Sequence, residues 1–251
     1  MSDGFKSLLF ALILCLVCSL VLTGASVGLR PYQIRNMRVD RQKNVLKSVG
    51  LVQAKKSYTP SEISRIYDER IRCLRVSPSG ERLPADNTNP RELPIYLNIR
   101  EDNTIKNYII PINTKGVWGD IKGYLAMEED GRTIAGFTVY KHSETPGLGG
   151  EIEKQWFQEN FVGKKIVDQS NEFMSVAVAK GAVEDRIPEA RQAYYVDGIS
   201  GATLTGNYLS RGLHEVLRQY EPVAVRFRQN ELRKLPPGQG KCRTEQAGRS
   251  E

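Results

Sequence analysis

The sequence predicts an α+β domain with an antiparallel sheet, preceded by one transmembrane helix at the amino terminus. A long run without charge opens the chain, and a polar segment with helical spacing follows it. After Pro94 the apolar residues recur at every second position in four segments, a pattern typical of strands with one buried face. A second helical segment follows a glycine-containing turn near residue 203. Strands followed by separate helices favour an α+β architecture.

The amino-terminal apolar segment, residues 7–29, lies between the charges of Lys6 and Arg30. As a helix rising 1.5 Å per residue it would extend about 34 Å, which matches a hydrocarbon core of about 30 Å. A cleaved signal peptide is the alternative, since the run Thr-Gly-Ala at 23–25 offers small residues to a peptidase. The apolar run exceeds the usual length of the apolar core of a signal peptide, so we expect a retained anchor behind a tail of residues 1–6.

The charge of the chain is basic, with a net value of +7. Its contents of 40% hydrophobic and 26% charged residues are those of a globular protein. Part of the basic excess directly follows the apolar helix and consists of Arg30, Arg35, Arg38, Arg41 and Lys43. A positive-inside count would therefore place the following domain in the cytoplasm. Zinc-finger spacing, an RNP-like stretch and a basic helix are all missing from the sequence, so we expect no nucleic acid as a partner.

The four cysteines do not form the framework of a disulfide scaffold. Cys15 and Cys18 lie within the apolar helix, where cysteine behaves as a small hydrophobic residue. Their C-x-x-C spacing also permits a redox or metal-binding interpretation, but that motif normally opens a soluble helix. Cys73 and Cys242 could pair if the domain is exported, and the sequence leaves this open. We expect no metal site.

Residues 30–93 are expected to form a membrane-proximal helical region and a linker. Val39 and Leu46 recur on one helical face, and a second helix is expected after Pro60. Residues 77–94 contain four prolines and few apolar side chains, so they predict a hinge before the main domain.

The main domain is expected over residues 94–222 and begins with strands. Alternating apolar residues predict strands at 95–100, 107–112, 121–129 and 132–142. Asp130-Gly131 between the last two strands predicts a tight hairpin, because both residues tolerate positive φ.

The second half of this domain is expected to mix helices with short strands. A helix is predicted for 151–161, with Ile152, Trp156 and Phe157 on one side, and short strands for 174–181 and 194–200. The last helix, residues 204–220, is predicted to bury Leu204, Tyr208, Val216 and Tyr220. Residues 223–251 are predicted to be a flexible tail.

The run DGISGATLT, residues 197–205, carries the chemistry. A glycine turn leads into a helix whose first N–H groups and dipole favour an anion, and Gly201 permits close approach of the backbone. Ser200, Thr203 and Thr205 place hydroxyls at the same turn. These features suit a phosphate, but ordinary capping of a helix by Ser or Thr explains them equally well.

The same run resembles the flavinylation motif Asp-x-x-Ser/Thr-Gly-Ala-Thr. This motif belongs to the FMN-binding domains of the sodium-translocating NADH:quinone oxidoreductase and of the related Rnf complex. The resemblance implies that a flavin transferase takes FMN from FAD and joins its phosphate to Thr203, with Thr205 as the neighbouring alternative acceptor. It assigns recognition and turn roles to Asp197, Ser200, Gly201 and Ala202.

Two other segments extend the resemblance, which covers most of residues 10–220 in the family order. GVWGDIKGYLA is similar to a glycine-tryptophan-glycine segment of the flavin-carrying subunits of the sodium pump, and its Trp118 could stack on or near a flavin ring. HSETPGLGGEI is similar to a Glu-Thr-Pro-Gly-Leu-Gly segment of the same proteins and could line the ring, although a plain turn explains it too. The residues of this loop that are predicted to bind the cofactor are Glu144, Thr145, Gly147 and Leu148.

The function implied by the resemblance is an electron relay through covalent FMN, within a membrane complex that couples electron transfer to sodium export. The implied partners are the other membrane subunits and the flavin transferase. The implied location is the bacterial inner membrane with the domain in the periplasm, against the charge rule. His142 and His214 form no catalytic dyad, and a Gly-x-Gly-x-x-Gly motif for NADH is missing. Alternatives are the related flavin-carrying subunit of the Rnf complex, a tethered phosphate-binding domain, and an assembly subunit without cofactor.

Overall fold

The computed structural model describes residues 3–53, 56–83, 92–235, 240 and 242. The chain divides into two compact units, Met1–Asp40 and Arg41–Glu251.

The first unit is helical and apolar. It contains most of helix α1, Asp3–Ser48, which begins with Asp3 in its first turn and continues through Pro31. An 18-residue window of this helix has a mean hydropathy of 2.7 and none of it is buried within the chain. The helix is therefore long and apolar enough to cross a membrane.

The second unit begins with the end of α1 and a short helix, α2 (Pro60–Arg70). Thr59 starts α2 because its side chain accepts a hydrogen bond from the N–H of Glu62, and the Glu62 carboxylate accepts one from the N–H of Thr59. This reciprocal capping box and the proline in the first turn are strong signals for a helix start. The prediction of a second helix after Pro60 is thus confirmed.

A five-stranded antiparallel sheet forms the centre of the second unit, in the order β1-β2-β3-β4-β5. The strands are β1 (Ile71–Val76), β2 (Leu93–Ile99), β3 (Ile105–Lys115), β4 (Asp120–Glu128) and β5 (Ile134–Lys141). The predicted hairpin between β4 and β5 is present, but its loop is longer than the predicted two residues, because the N–H of Glu128 donates to the carbonyl of Thr133. Within the loop Gly131 has a φ of +63°, and the Asp130 carboxylate accepts the N–H groups of Arg132 and Thr133.

Short elements and one long helix complete the unit. They are a 3₁₀ turn (Gly149–Glu153), α3 (Gln155–Glu159), β6 (Ala177–Val178), α4 (Val183–Arg186), a second 3₁₀ turn (Glu189–Tyr194), β7 (Tyr195–Val196) and α5 (Thr203–Arg228). The strands β6 and β7 form a separate two-residue parallel pair.

The sheet is covered on both faces, because side chains alternate between them along each strand. Helix α5 covers one face, where the ring of Tyr108 stacks on Phe227 with centroids 4.2 Å apart. The end of α1 and α2 cover the other face, where Leu46 and Ile63 are buried. The long helix that carries the DGISGAT turn is therefore fixed along its length against the sheet.

The predictions of a helical region and linker at residues 71–76 and of a flexible tail at residues 223–235 were both wrong. Residues 71–76 were assigned to a helical region and linker, but they form the edge strand β1, because β2 returns to pair with them. The tail was predicted from residue 223, but α5 continues to Arg228, and Leu232 and Leu235 are buried. The hinge prediction at 84–91 lies outside the described residues.

Two predicted helical faces were also wrong. Leu204 and Tyr208 of α5 are 63% and 41% exposed, because the buried stripe runs instead through Thr205, Leu209 and Leu213. The predicted helix at 151–161 divides into a 3₁₀ turn and α3, and Trp156 lies outside the core at 46% exposed.

Cys73 and Cys242 form a disulfide across 169 residues, with their Cα atoms 4.8 Å apart. The backbone supports the same contact, because the N–H of Cys73 donates to the carbonyl of Gly240 at 2.7 Å. The carboxy-terminal segment is thereby attached to the edge strand β1. Cys15 and Cys18 remain free.

Candidate functional site

The DGISGAT run forms a tight turn that leads directly into α5. The N–H of Ala202 donates to the carbonyl of Ile199 at 3.1 Å, and Gly201 has a φ of +73° at the third position of this turn. That conformation is the one for which a type II turn requires glycine. The turn ends at Ala202, directly before Thr203, the first residue of α5.

The amino terminus of α5 has no side-chain cap within the described part of the chain. The residue at the cap position is Ala202, and Ser200 and Thr203 do not occupy it. The capping interpretation of these hydroxyls is therefore wrong. The first N–H groups and the positive end of the helix dipole remain available to an anion.

The two threonines of the run have different surroundings. Thr203 is exposed, whereas Thr205 is 4% exposed. Thr205 Oγ1 donates a hydrogen bond to Glu144 Oε2 at 2.5 Å. Of the two threonines, only Thr203 therefore presents a hydroxyl that a large reagent could reach.

Glu144 lies at the centre of the site rather than on its surface. Its side chain is buried at 4% exposure, and its Oε1 accepts the backbone N–H groups of Val117 at 2.8 Å and Trp118 at 3.1 Å. With Thr205 on its other oxygen, this carboxylate joins the β3–β4 loop, the loop after β5 and the start of α5. A buried carboxylate needs such donors, because an unsatisfied one would be costly.

Glycines bring the three segments into close contact. A Cβ on Gly149 would lie 2.4 Å from Thr205 Oγ1 and 2.8 Å from Glu144 Oε2. A Cβ on Gly116 would lie 2.5 Å from Glu144 Oε1, and one on Gly201 would lie 2.8 Å from Leu148 Cδ2. A larger residue at Gly149 would disturb the contact between Thr205 and Glu144.

Four exposed apolar side chains lie on the β3–β4 loop, the loop after β5 and the first two turns of α5. We call them the apolar rim, and they are Trp118, Leu148, Leu204 and Tyr208, with exposures of 70%, 43%, 63% and 41%. Leu204 follows Thr203 directly and lies four residues before Tyr208 on the same helix surface. Sequence periodicity assigned Leu204 and Tyr208 to the core, so it missed half of the rim.

The remaining predicted site residues have local structural roles. The carboxylate of Asp197 accepts the N–H of Val183 at 2.7 Å and so fixes the start of α4. The carbonyl of Thr145 accepts the N–H groups of Leu148 and Gly150, while Gly147 has a φ of +74° at an open position of the loop. These residues shape the loops, and Ser200 remains exposed in the turn.

His142 supports the loop after β5. Its Nδ1 accepts the N–H of Glu144 at 3.1 Å, and its Nε2 lies 3.3 Å from the carboxylate of Glu153. Partial burial acts to raise the pKa of Glu153, but hydrogen bonds from His142 and Lys154 outweigh it and lower that pKa. His214 lies elsewhere and packs against Phe173.

Comparison with known proteins places this arrangement in a family. Residues 116–218 match the model of the FMN-binding domain family. The chain is 30% identical over 239 residues to the C subunit of the Na(+)-translocating NADH-quinone reductase (NqrC) of Pseudomonas aeruginosa, covering 83% of this chain and 89% of the relative. It is 34% identical to the NqrC protein of Yersinia pestis, covering 80% and 84%.

The chain belongs to the NqrC family. A crystal structure of NqrC from Parabacteroides distasonis, 32% identical, matches with a TM-score of 0.66 over 78% of this chain and 96% of that chain. The Shewanella oneidensis NqrC structure, 22% identical, has the same fold with a TM-score of 0.59 over 80% and 98%. The range that matches the FMN-binding domain contains Thr203, Glu144 and Trp118.

The residues of this NqrC-family chain fit the phosphate and ring of FMN. The uncapped start of α5 offers N–H groups to a phosphate, the exposed Thr203 hydroxyl lies at that start, and the apolar rim exposes the rings of Trp118 and Tyr208. A cavity of about 350 Å³ opens further along α5, between Tyr208, Gly212 and Thr114, and Thr203 does not line it. Among the described residues, no cluster of three or more His, Cys, Asp or Glu could hold a metal.

Proposed function

We propose that this chain is an electron-relay subunit that carries FMN through a phosphoester to the Oγ1 of Thr203. One observation carries the assignment. Thr203 is the exposed threonine at an uncapped helix start, while Thr205 is buried and donates to Glu144. The family of the chain and its FMN-binding domain support the choice of flavin.

The cofactor supplies chemistry that no side chain of this protein has, since a flavin can gain or lose electrons singly. The chain holds and positions it. The N–H groups at the start of α5 and the helix dipole stabilise the negative charge of the phosphodiester. The apolar rim contributes ring faces and aliphatic contacts that exclude water from one side of the site.

A covalent link suits a relay, because the carrier keeps its flavin through every cycle of transfer. The relatives are named as subunits of a sodium-translocating NADH-quinone reductase, and we propose the same complex for this chain. Among the residues that the structure describes, one helix is long and apolar enough to span a bilayer. We therefore propose that other membrane subunits form the sodium pathway. We propose that those subunits donate and accept its electrons.

We propose that the second unit lies in the periplasm, with α1 in the inner membrane. The pairing of Cys73 with Cys242 supports this location, because disulfides persist in oxidising compartments. The basic residues that follow the apolar segment favour the cytoplasm by the charge rule, which is a bias that partner subunits can override. An alkaline phosphatase fused to the carboxyl terminus should be active in cells, and an inactive fusion would refute the periplasmic assignment.

The covalent assignment is tested by co-expressing the full chain with a flavin transferase. The wild-type band on a denaturing gel should fluoresce under ultraviolet light, and Thr203→Ala should be dark. Ser170→Ala is the matched control, because it removes an exposed hydroxyl outside the site and should keep the fluorescence. A dark wild-type band would refute covalent flavin and leave a tethered phosphate-binding domain or an assembly subunit as the function.

A further inference from the structure

Glu144 joins the three segments of the site, and its contact with Thr205 has a consequence for Thr203. We infer that Glu144 is the positioning residue that presents Thr203, and withholds Thr205, when the flavin is attached. This inference rests on the proposed function. The observation that supports it is the 2.5 Å hydrogen bond from Thr205 Oγ1 to Glu144 Oε2.

The geometry of a helix links the two threonines. Residues two positions apart point about 200° away from each other around the helix axis, so they lie on nearly opposite faces. Drawing Thr205 inward onto Glu144 therefore turns Thr203 outward. The exposures agree, because Thr205 is 4% exposed and Thr203 lies at the surface. Within the first turn of α5, this contact between the Thr205 hydroxyl and the Glu144 carboxylate holds Thr205 inward.

Glu144 can fix α5 because it is itself fixed. Its Oε1 accepts the two N–H groups of Val117 and Trp118, and its own N–H donates to His142 Nδ1. Gly116 and Gly149 lie so close that any Cβ there would contact the carboxylate at 2.5 Å and 2.8 Å. The carboxylate is thus held in place before any ligand arrives, as preorganised sites require.

The attachment step is sensitive to this orientation. Thr203 Oγ1 forms a bond to the phosphorus on the FMN side of FAD, and the pyrophosphate P–O bond to the AMP side breaks. AMP departs with the bonding electron pair, and the hydroxyl proton of Thr203 passes to the transferase or to solvent. Glu144 touches none of these atoms and acts through Thr205. A misplacement of about 1 Å in such a reaction can cost about 100-fold in rate.

The test uses the flavin-free full chain in detergent with purified flavin transferase and FAD, and follows in-gel fluorescence with time. Glu144→Ala and Thr205→Ala should each slow flavin attachment at Thr203 by about tenfold or more. Glu144→Gln and Thr205→Ser should recover most of the rate, because the amide oxygen still accepts both N–H groups and the serine hydroxyl still reaches residue 144. The double alanine variant should be no slower than Glu144→Ala alone, since both changes break one contact.

The control variant is Glu221→Ala, which removes another partly buried carboxylate, one that pairs with Arg228 in the carboxy-terminal half of α5. It should lower thermal stability and leave the attachment rate unchanged. A folded Glu144→Ala at the wild-type rate, or additive effects in the double variant, would overturn the inference. If Glu144→Ala fails to fold, the contrast between Thr205→Ala and Thr205→Ser decides it, and equal rates overturn it. A wild-type chain without label at Thr203 would instead refute the proposed function.

Discussion

Gly212 lies where α5 packs closely against β3, and replacing it with alanine should destabilise the domain. A Cβ at Gly212 would lie 1.6 Å from Thr114 Oγ1 and 2.4 Å from Thr114 Cβ on β3. An ordinary contact is about 3.5 Å or more, so helix and strand must separate by well over 1 Å. Overpacking of this kind costs about 1–3 kcal/mol or more, and the better helix propensity of alanine returns about 1 kcal/mol.

Because backbone must move, we take the upper end of the overpacking cost, about 3 kcal/mol. With the gain of about 1 kcal/mol from helix propensity, Gly212→Ala should lower the free energy of unfolding by about 2 kcal/mol. Gly206→Ala is the matched control in the same helix, since its Cβ would lie 3.2 Å from Val178 Cγ1 and nothing closer. It should be neutral or stabilising by up to about 1 kcal/mol.

The assay is urea unfolding of the detergent-solubilised chain, followed by tryptophan fluorescence and far-ultraviolet circular dichroism. Thr114→Gly combined with Gly212→Ala should recover part of the loss, because it removes all three contacting atoms. If Gly212→Ala proves as stable as Gly206→Ala, the close approach of α5 to β3 is wrong. The position of Thr203 relative to Glu144 would then be wrong as well.

Two further predictions concern pH and redox state. Burial acts to raise the pKa of Asp130, but hydrogen bonds from Thr133 and the backbone outweigh it and lower the pKa below its ordinary value of 3.8. The stabilisation by this carboxylate is thus fully present above that value and is lost as the pH falls through the lower folded pKa. Asp130→Asn should therefore be less stable than wild type at pH 6. A difference in unfolding free energy between the two that stays constant down to pH 2 would contradict this. Reduction of the Cys73–Cys242 disulfide, which closes a loop over 169 residues, should lower stability by at most about 5 kcal/mol. Cys73→Ser should show the same lowered stability without reductant, and an unfolding curve unaffected by reductant would argue against the pairing.

The strands of the sheet were predictable because they depend on local alternation and on one tight turn. The segments β2 to β5 follow the period of two, and Asp130-Gly131 forms the hairpin that its residue types favour. The strand β1 was missed because Ile71 and Leu74 have a helical spacing. Its strand form depends on pairing with β2 across a segment that the sequence shows only as a loop.

The site was predictable only in part. Local chemistry of the DGISGAT run indicated a phosphate site or a helix cap, and the resemblance to the flavinylation motif pointed to Thr203. The choice of Thr203 over Thr205 now has physical support in burial. The direction of Glu144 was not predictable, since its partners lie 26, 27 and 61 residues away along the chain. Periodicity also misassigned Leu204 and Tyr208, because it cannot tell an exposed apolar stripe from a buried one.

Peptide mapping by tandem mass spectrometry directly tests whether a covalent bond joins Thr203 to FMN. The full chain, matured with a flavin transferase, is digested, and the peptide containing residues 197–210 is fragmented. A phosphoester at Thr203 predicts a mass increase of one FMN less one water, located on Thr203. An unmodified peptide from a fully loaded, coloured protein, or the same mass located on Ser200 or Thr205, would contradict it.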